Sequence, residues 1–116
     1  MCMKQSRSGH GEFVELVLEQ MTGFGVPRVR RMFGGYGLYC DDLMFAIILK
    51  DKLYLKADAV NIGRFENAGL QPFTYASKGK QVSLRYFEAP PEVYEDQDET
   101  LQWARSALEA ALRARG

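Results

Sequence analysis

The chain has 116 residues, 47% hydrophobic and 26% charged, with 15 Lys and Arg set against 15 Asp and Glu. That length suits one domain with its own core, and the composition excludes a disordered or fibrous chain. A formal net charge of zero excludes a protein that grips nucleic acid over its whole surface, which leaves only a local basic patch to consider.

The opening Met1-Cys2-Met3-Lys4-Gln5-Ser6-Arg7-Ser8 lacks the apolar stretch of a signal peptide, and no run approaches the roughly 18 residues of a membrane span. Residues 1–10 are expected to form a flexible N-terminus and 11–116 a single domain, with the cytoplasm as compartment and no membrane partner. Cys2 and Cys40 show neither a disulfide framework nor zinc-ligand spacing, which fits a reducing compartment.

From Glu12 to Met21, the apolar Phe13, Val14, Val17, Leu18 and Met21 recur at helical spacing, with Glu12, Glu15 and Glu19 on the other side. This predicts a helix near 11–23, ended by Gly23-Phe24-Gly25-Val26-Pro27. Arg28 to Phe33 reads as a strand, Tyr36 to Cys40 as a second, Met44 to Leu49 as a third and Leu53 to Lys56 as a fourth. Their connections are so short that neighbours must pair antiparallel. The first two strands meet at a glycine kink in Phe33-Gly34-Gly35-Tyr36-Gly37, where backbone freedom and flanking aromatics coincide.

Asp58 then suits an N-cap, Ile62 and Phe65 a short helix near 59–68, and Gly69 its stop. Phe73-Thr74-Tyr75 and Val82 to Phe87, joined by Ser77-Lys78-Gly79-Lys80, form a second antiparallel pair. Ala89-Pro90-Pro91 ends it. The acidic stretch from Glu88 to Glu99 leads to a helix near 97–114, with Asp96 as its cap and Arg105, Arg113 and Arg115 toward its end. Leu101, Ala104, Leu108, Ala111 and Leu112 mark its apolar stripe.

The order is helix, three or four strands, helix, two strands, helix, which predicts a two-layer α+β domain with helices on one face of an antiparallel sheet. The expected core is Phe13, Val17, Met21, Phe45, Ile47, Leu55, Phe65, Leu84, Leu101, Ala104 and Leu108.

No catalytic, cofactor-binding or metal-binding residue emerges. His10 is the single histidine, so no triad or two-histidine metal site can be built within one chain, and it reads as an exposed loop residue. Cys40 lacks a neighbouring base in sequence and reads as a half-buried strand cysteine. Gly34-Gly35-Tyr36-Gly37 is neither a dinucleotide fingerprint nor a P-loop, since it leads into a strand where both of those open a helix. It shares only Gly35-Tyr36-Gly37 with the RNA-recognition sheet motif. Arg28, Arg30 and Arg31 beside aromatics form a basic cluster able to meet phosphates and bases, but strand alternation should put Arg28 and Arg30 on one face and Arg31 on the other.

Arg31-Met32-Phe33-Gly34-Gly35-Tyr36-Gly37-Leu38-Tyr39, Met44-Phe45-Ala46 and Leu53-Tyr54-Leu55-Lys56-Ala57-Asp58 together resemble the N-terminal domain of the bacterial TfoX (Sxy) competence-regulator family. Phe65, Pro72-Phe73-Thr74-Tyr75, Val82-Ser83-Leu84 with Tyr86, and Trp103-Ala104 extend the likeness over roughly Phe13 to Arg113. The resemblance implies a secretion-chaperone-like α+β fold. It also implies a part in the transcriptional regulation of DNA-uptake genes; full members carry a second, C-terminal domain, and a competence role does not transfer simply to the N-terminal domain alone. It supplies no catalytic residue. The expectation is therefore a non-enzymatic regulatory or protein-interaction module, a homodimer that meets a further protein partner. Its candidate interaction surface is Arg28, Arg30, Arg31, Gly34, Gly35, Tyr36 and Gly37. The alternative is a regulator that contacts nucleic acid through the three arginines.

Overall fold

A computed structural model describes residues 11–32 and 34–115. The expected flexible segment 1–10, with Cys2 and His10, lies outside the described residues, as does Phe33. Helix α1 (Glu12–Gln20) leads into strands β1 (Arg28–Met32), β2 (Gly35–Cys40), β3 (Leu43–Leu49) and β4 (Lys52–Lys56). Helix α2 (Ile62–Asn67) is followed by β5 (Pro72–Ser77), β6 (Lys80–Glu88), a short 3-10 turn at Pro91–Tyr94, and the long helix α3 (Gln97–Arg115).

The strands form one six-stranded antiparallel sheet in the order β1-β2-β3-β4-β6-β5, so the edges are β1 and β5. Tight turns set the register. Lys50 and Asp51 both take positive φ between the paired Leu49 and Lys52, and Lys78-Gly79 do the same between Ser77 and Lys80, the backbone of a primed hairpin turn.

All three α-helices pack on one face. Val14, Val17 and Leu18 of α1, Phe65 of α2, and Trp103, Ala104 and Ala107 of α3 share a core with Leu38, Phe45, Ile48, Leu55 and Phe87 of the sheet. A bulge lies between β2 and β3, because Leu38 pairs with Ala46 while the next residue, Tyr39, pairs with Met44. The extra residue, Phe45, therefore joins Ala46 on the helix side, and both are fully buried.

Helix α3 meets the sheet through small residues. Ala104, Ala107, Ala110 and Ala111 are buried with Thr100 and Trp103, whereas Leu101 and Leu108 are only partly buried and Leu112 is 49% exposed. The expected leucine stripe is thus displaced by about one position, since alanines let the helix axis come close to the strands. Phe13 is also only partly buried, against the ring of Tyr94. Ile47 and Leu84 belong to a second cluster on the opposite face. Helix α2 begins at Ile62, later than expected, because Asp58 spends its carboxylate on the turn before it. Its Oδ1 accepts from the N–H groups of Val60 and Asn61 at 3.0 and 3.1 Å. Asp96 does cap α3, with Oδ1 accepting from the N–H of Asp98 at 2.9 Å.

Candidate interaction surface

The predicted surface residues lie on the β1–β2 hairpin at one edge of the sheet, and the structure divides them between its two faces. Arg28 and Arg30 both stack on the ring of Tyr39, with guanidinium carbons 5.5 and 5.7 Å from its centroid. Arg31 pairs in register with Tyr36, whose ring packs toward the helical core. The three arginines are therefore not one patch. Arg28 is further occupied by Asp42, 3.8 Å away, and its Nε is buried without an acceptor among the described residues.

The glycines have separate tasks. Gly34 carries the hairpin turn with φ +76°. A Cβ on Gly35 would lie 2.2 Å from the backbone oxygen of Ile48, so this position is closed to any side chain. A Cβ on Gly37 would meet the sulfurs of Met32 and Met44 at 2.7 and 2.8 Å. Its absence lets both thioethers lie across the strand.

Those methionines begin a continuous surface on the helix-free side of the sheet. Met44, Ile47 and Leu49 of β3, Tyr54 of β4, Leu84 and Tyr86 of β6 and Phe73 of β5 pack against one another there. Tyr54 stands edge-on to Phe73 with centroids 5.0 Å apart. The Tyr86 hydroxyl donates to the carbonyl of Met44 at 3.3 Å, and burial pushes its pKa up to about 12. Lys56 lies 5.0 Å over the ring of Tyr86. At the β5 edge, Leu49, Phe73, Tyr75 and Leu84 enclose an apolar hollow of about 220 Å³, and Tyr75 is 44% exposed. Aromatic rings and methionines with basic residues around them are the makings of a protein-binding face.

No group of acidic, histidine or cysteine side chains among the described residues is arranged to hold a metal ion. Cys40 lies at the end of strand β2 as expected, but it is buried and not half-buried, and it is not a free thiol, which removes it as a nucleophile. No helix among the described residues is long and apolar enough to cross a membrane.

The family model of the TfoX N-terminal domain matches residues 19–111. The chain belongs to this family. The TfoX-type domain is 27% identical over 95 residues to Protein Sxy of Escherichia coli (strain K12), covering 82% of this chain and 46% of that protein. It is 34% identical over 59 residues to DNA transformation protein TfoX1 of Aliivibrio fischeri (strain ATCC 700601 / ES114), covering 51% of this chain and 28% of that protein. It thus spans less than half the length of either relative.

Sequence reasoning on this TfoX-type domain missed a polar clasp on the helical side. Arg113 near the end of α3 reaches Asp58, with Nε donating at 2.6 Å and a terminal nitrogen at 3.0 Å. Those hydrogen bonds hold the Asp58 carboxyl down at about 2. Beside it, Asn61 is 4% exposed, accepts from the N–H of Asp58 at 2.7 Å and donates to the carbonyl of Lys56 and to the hydroxyl of Ser106. These partners are far apart in sequence, and no local spacing announces them.

Proposed function

We propose that this TfoX-type domain is a non-enzymatic, cytoplasmic regulatory module in the control of bacterial DNA uptake, and that it works by docking a protein partner on the helix-free face of its sheet. The observation that carries the reading is that face. All described helices lie on the other side, while Met44, Leu49, Tyr54 and Tyr75 present an aromatic and thioether surface that no element among the described residues covers. Competence enters through the family and through a relative described as a DNA transformation protein.

The same reading includes pairing with a second copy. Edge strand β5, Pro72–Ser77, has no charged side chain, whereas the opposite edge β1 carries Arg28, Arg30 and Arg31. Charges on an edge strand oppose strand addition, and β5 lacks that protection. Nucleic-acid contact through the three arginines has weaker support, because they face two ways and Arg28 is engaged by Asp42.

The test is a chimera in which this chain replaces the matching region of Sxy in Escherichia coli lacking its own copy. Restored expression of DNA-uptake genes is expected. Met44→Asp with Leu49→Asp should abolish it while leaving the circular dichroism unchanged. Full induction by that folded variant would refute docking on the open face.

A further inference from the structure

On the helical side, α2 and the second half of α3 border a cleft of about 380 Å³. Its α3 wall is a single stripe, since Gln102, Ser106, Glu109 and Arg113 follow one another at spacings of three and four residues, with Arg105 three residues after Gln102 and four before Glu109. From α2 comes Arg64, whose guanidinium carbon sits 4.6 Å over the ring of Trp103. Three guanidinium groups and one carboxylate thus share the cleft.

Their partners decide what the cleft can take. Arg113 is fixed by Asp58, but Arg64 and Arg105 have no carboxylate within ion-pair distance among the described residues. Ser106 Oγ accepts from Asn61 Nδ2 at 3.1 Å, which leaves the hydroxyl hydrogen to be given elsewhere. Two cations without carboxylate partners and a spare hydroxyl donor face a single wall carboxylate, Glu109, so the cleft carries more positive charge than negative. An anionic ligand with several oxygens would balance them. Guanidinium forks match such a group two bonds at a time, and Arg64 stacked on Trp103 has lost part of the freedom that binding would otherwise cost.

We propose that this cleft is a phosphate-binding site in which Arg64 and Arg105 grip one phosphate group, Ser106 donates to it, and the Asp58-held Arg113 sets the wall. Glu109 on the same wall opposes negative charge, so the grip rests on both arginines closing on one phosphate group. That group belongs either to a free phosphate or to a nucleic-acid backbone, and the chemistry of the grip is the same for both. The site lies on the helical side and does not depend on docking at the sheet face.

The experiment titrates isotope-labelled protein with inorganic phosphate, with acetate, and with a short DNA duplex at two salt concentrations, following amide signals by NMR. Saturable shifts confined to positions 60–64 and 102–113 are expected with phosphate or duplex, and not with acetate. Arg64→Ala with Arg105→Ala should weaken that binding about tenfold or more, whereas Arg28→Ala with Arg30→Ala should leave it unchanged. If the backbone is the source, duplex binds and the first double variant lowers the log–log salt slope by about one, because both arginines grip the same phosphate. If free phosphate is the source, inorganic phosphate alone saturates. Absence of saturable shifts with both probes, equal shifts with acetate, or unchanged affinity in the folded double variant would each overturn the assignment. Should that variant fail to fold, Arg105→Gln is read in the same way.

Discussion

Gly35 and Gly37 have the same residue type and nearly the same place in β2, yet they differ in what a methyl group would strike. At Gly35 the obstacle is the backbone oxygen of Ile48, fixed by the pairing of β2 with β3. At Gly37 the obstacles are the sulfurs of Met32 and Met44, each at the end of a flexible side chain. Gly35→Ala should therefore cost about 3 kcal/mol, near the upper end of overpacking penalties, and Gly37→Ala about 1 kcal/mol. Urea denaturation of both variants measures this, and equal losses would show that β2 can shift as a unit. The glycine-rich stretch is conspicuous in sequence as a place of backbone freedom. The reason for each glycine is not, because Ile48 and Met44 meet it only across the sheet. Likewise, Arg28 and Arg30 fall on one face and Arg31 on the other as alternation requires, but Tyr39 as their common platform depends on the β1–β2 register.

Among the elements, the strands were legible because period-two alternation and turn residues are local signals. The bulge at Phe45 was not, since it puts two adjacent residues, Phe45 and Ala46, on one face against that alternation. In α3 the leucines dominated the sequence pattern, while the buried stripe is built on alanines chosen for close approach. The joint between elements was the least legible part. Asp58 follows β4, precedes α2 and receives two hydrogen bonds from Arg113 of α3, so one carboxylate ties three elements together. Its folded pKa of about 2 lies below the ordinary 3.8, chiefly through the hydrogen bonds from Arg113. A depressed carboxylate stabilises the fold fully above its unfolded pKa and loses that contribution as pH falls through the folded one. Asp58→Asn should thus be less stable than the parent above about pH 4, with the difference shrinking between pH 4 and 2. Denaturation curves across that range test it, and a difference independent of pH would assign the loss to the turn hydrogen bonds alone.

For the whole molecule, the two sheet edges differ in kind, and the difference bears on how copies meet. With a formal net charge of zero there is little long-range repulsion to keep two copies apart. Edge β1 carries arginines, so a second copy there would set like charges side by side. Edge β5 offers uncharged backbone and the hollow lined by Leu49, Phe73, Tyr75 and Leu84. A two-fold axis near Thr74 would run β5 antiparallel to its counterpart and bring Tyr75 of each copy onto Phe73 of the other, a self-complementary contact. Light scattering should then give twice the 13.2 kDa chain mass, and Tyr75→Lys should return the protein to a monomer with unchanged circular dichroism. Because backbone hydrogen bonds and apolar contacts would hold this pair, its dissociation should respond weakly to salt, unlike phosphate capture by Arg64 and Arg105. A 13.2 kDa particle persisting across about a tenfold rise in concentration, or a dimer that Tyr75→Lys leaves intact, would remove β5 as the pairing edge.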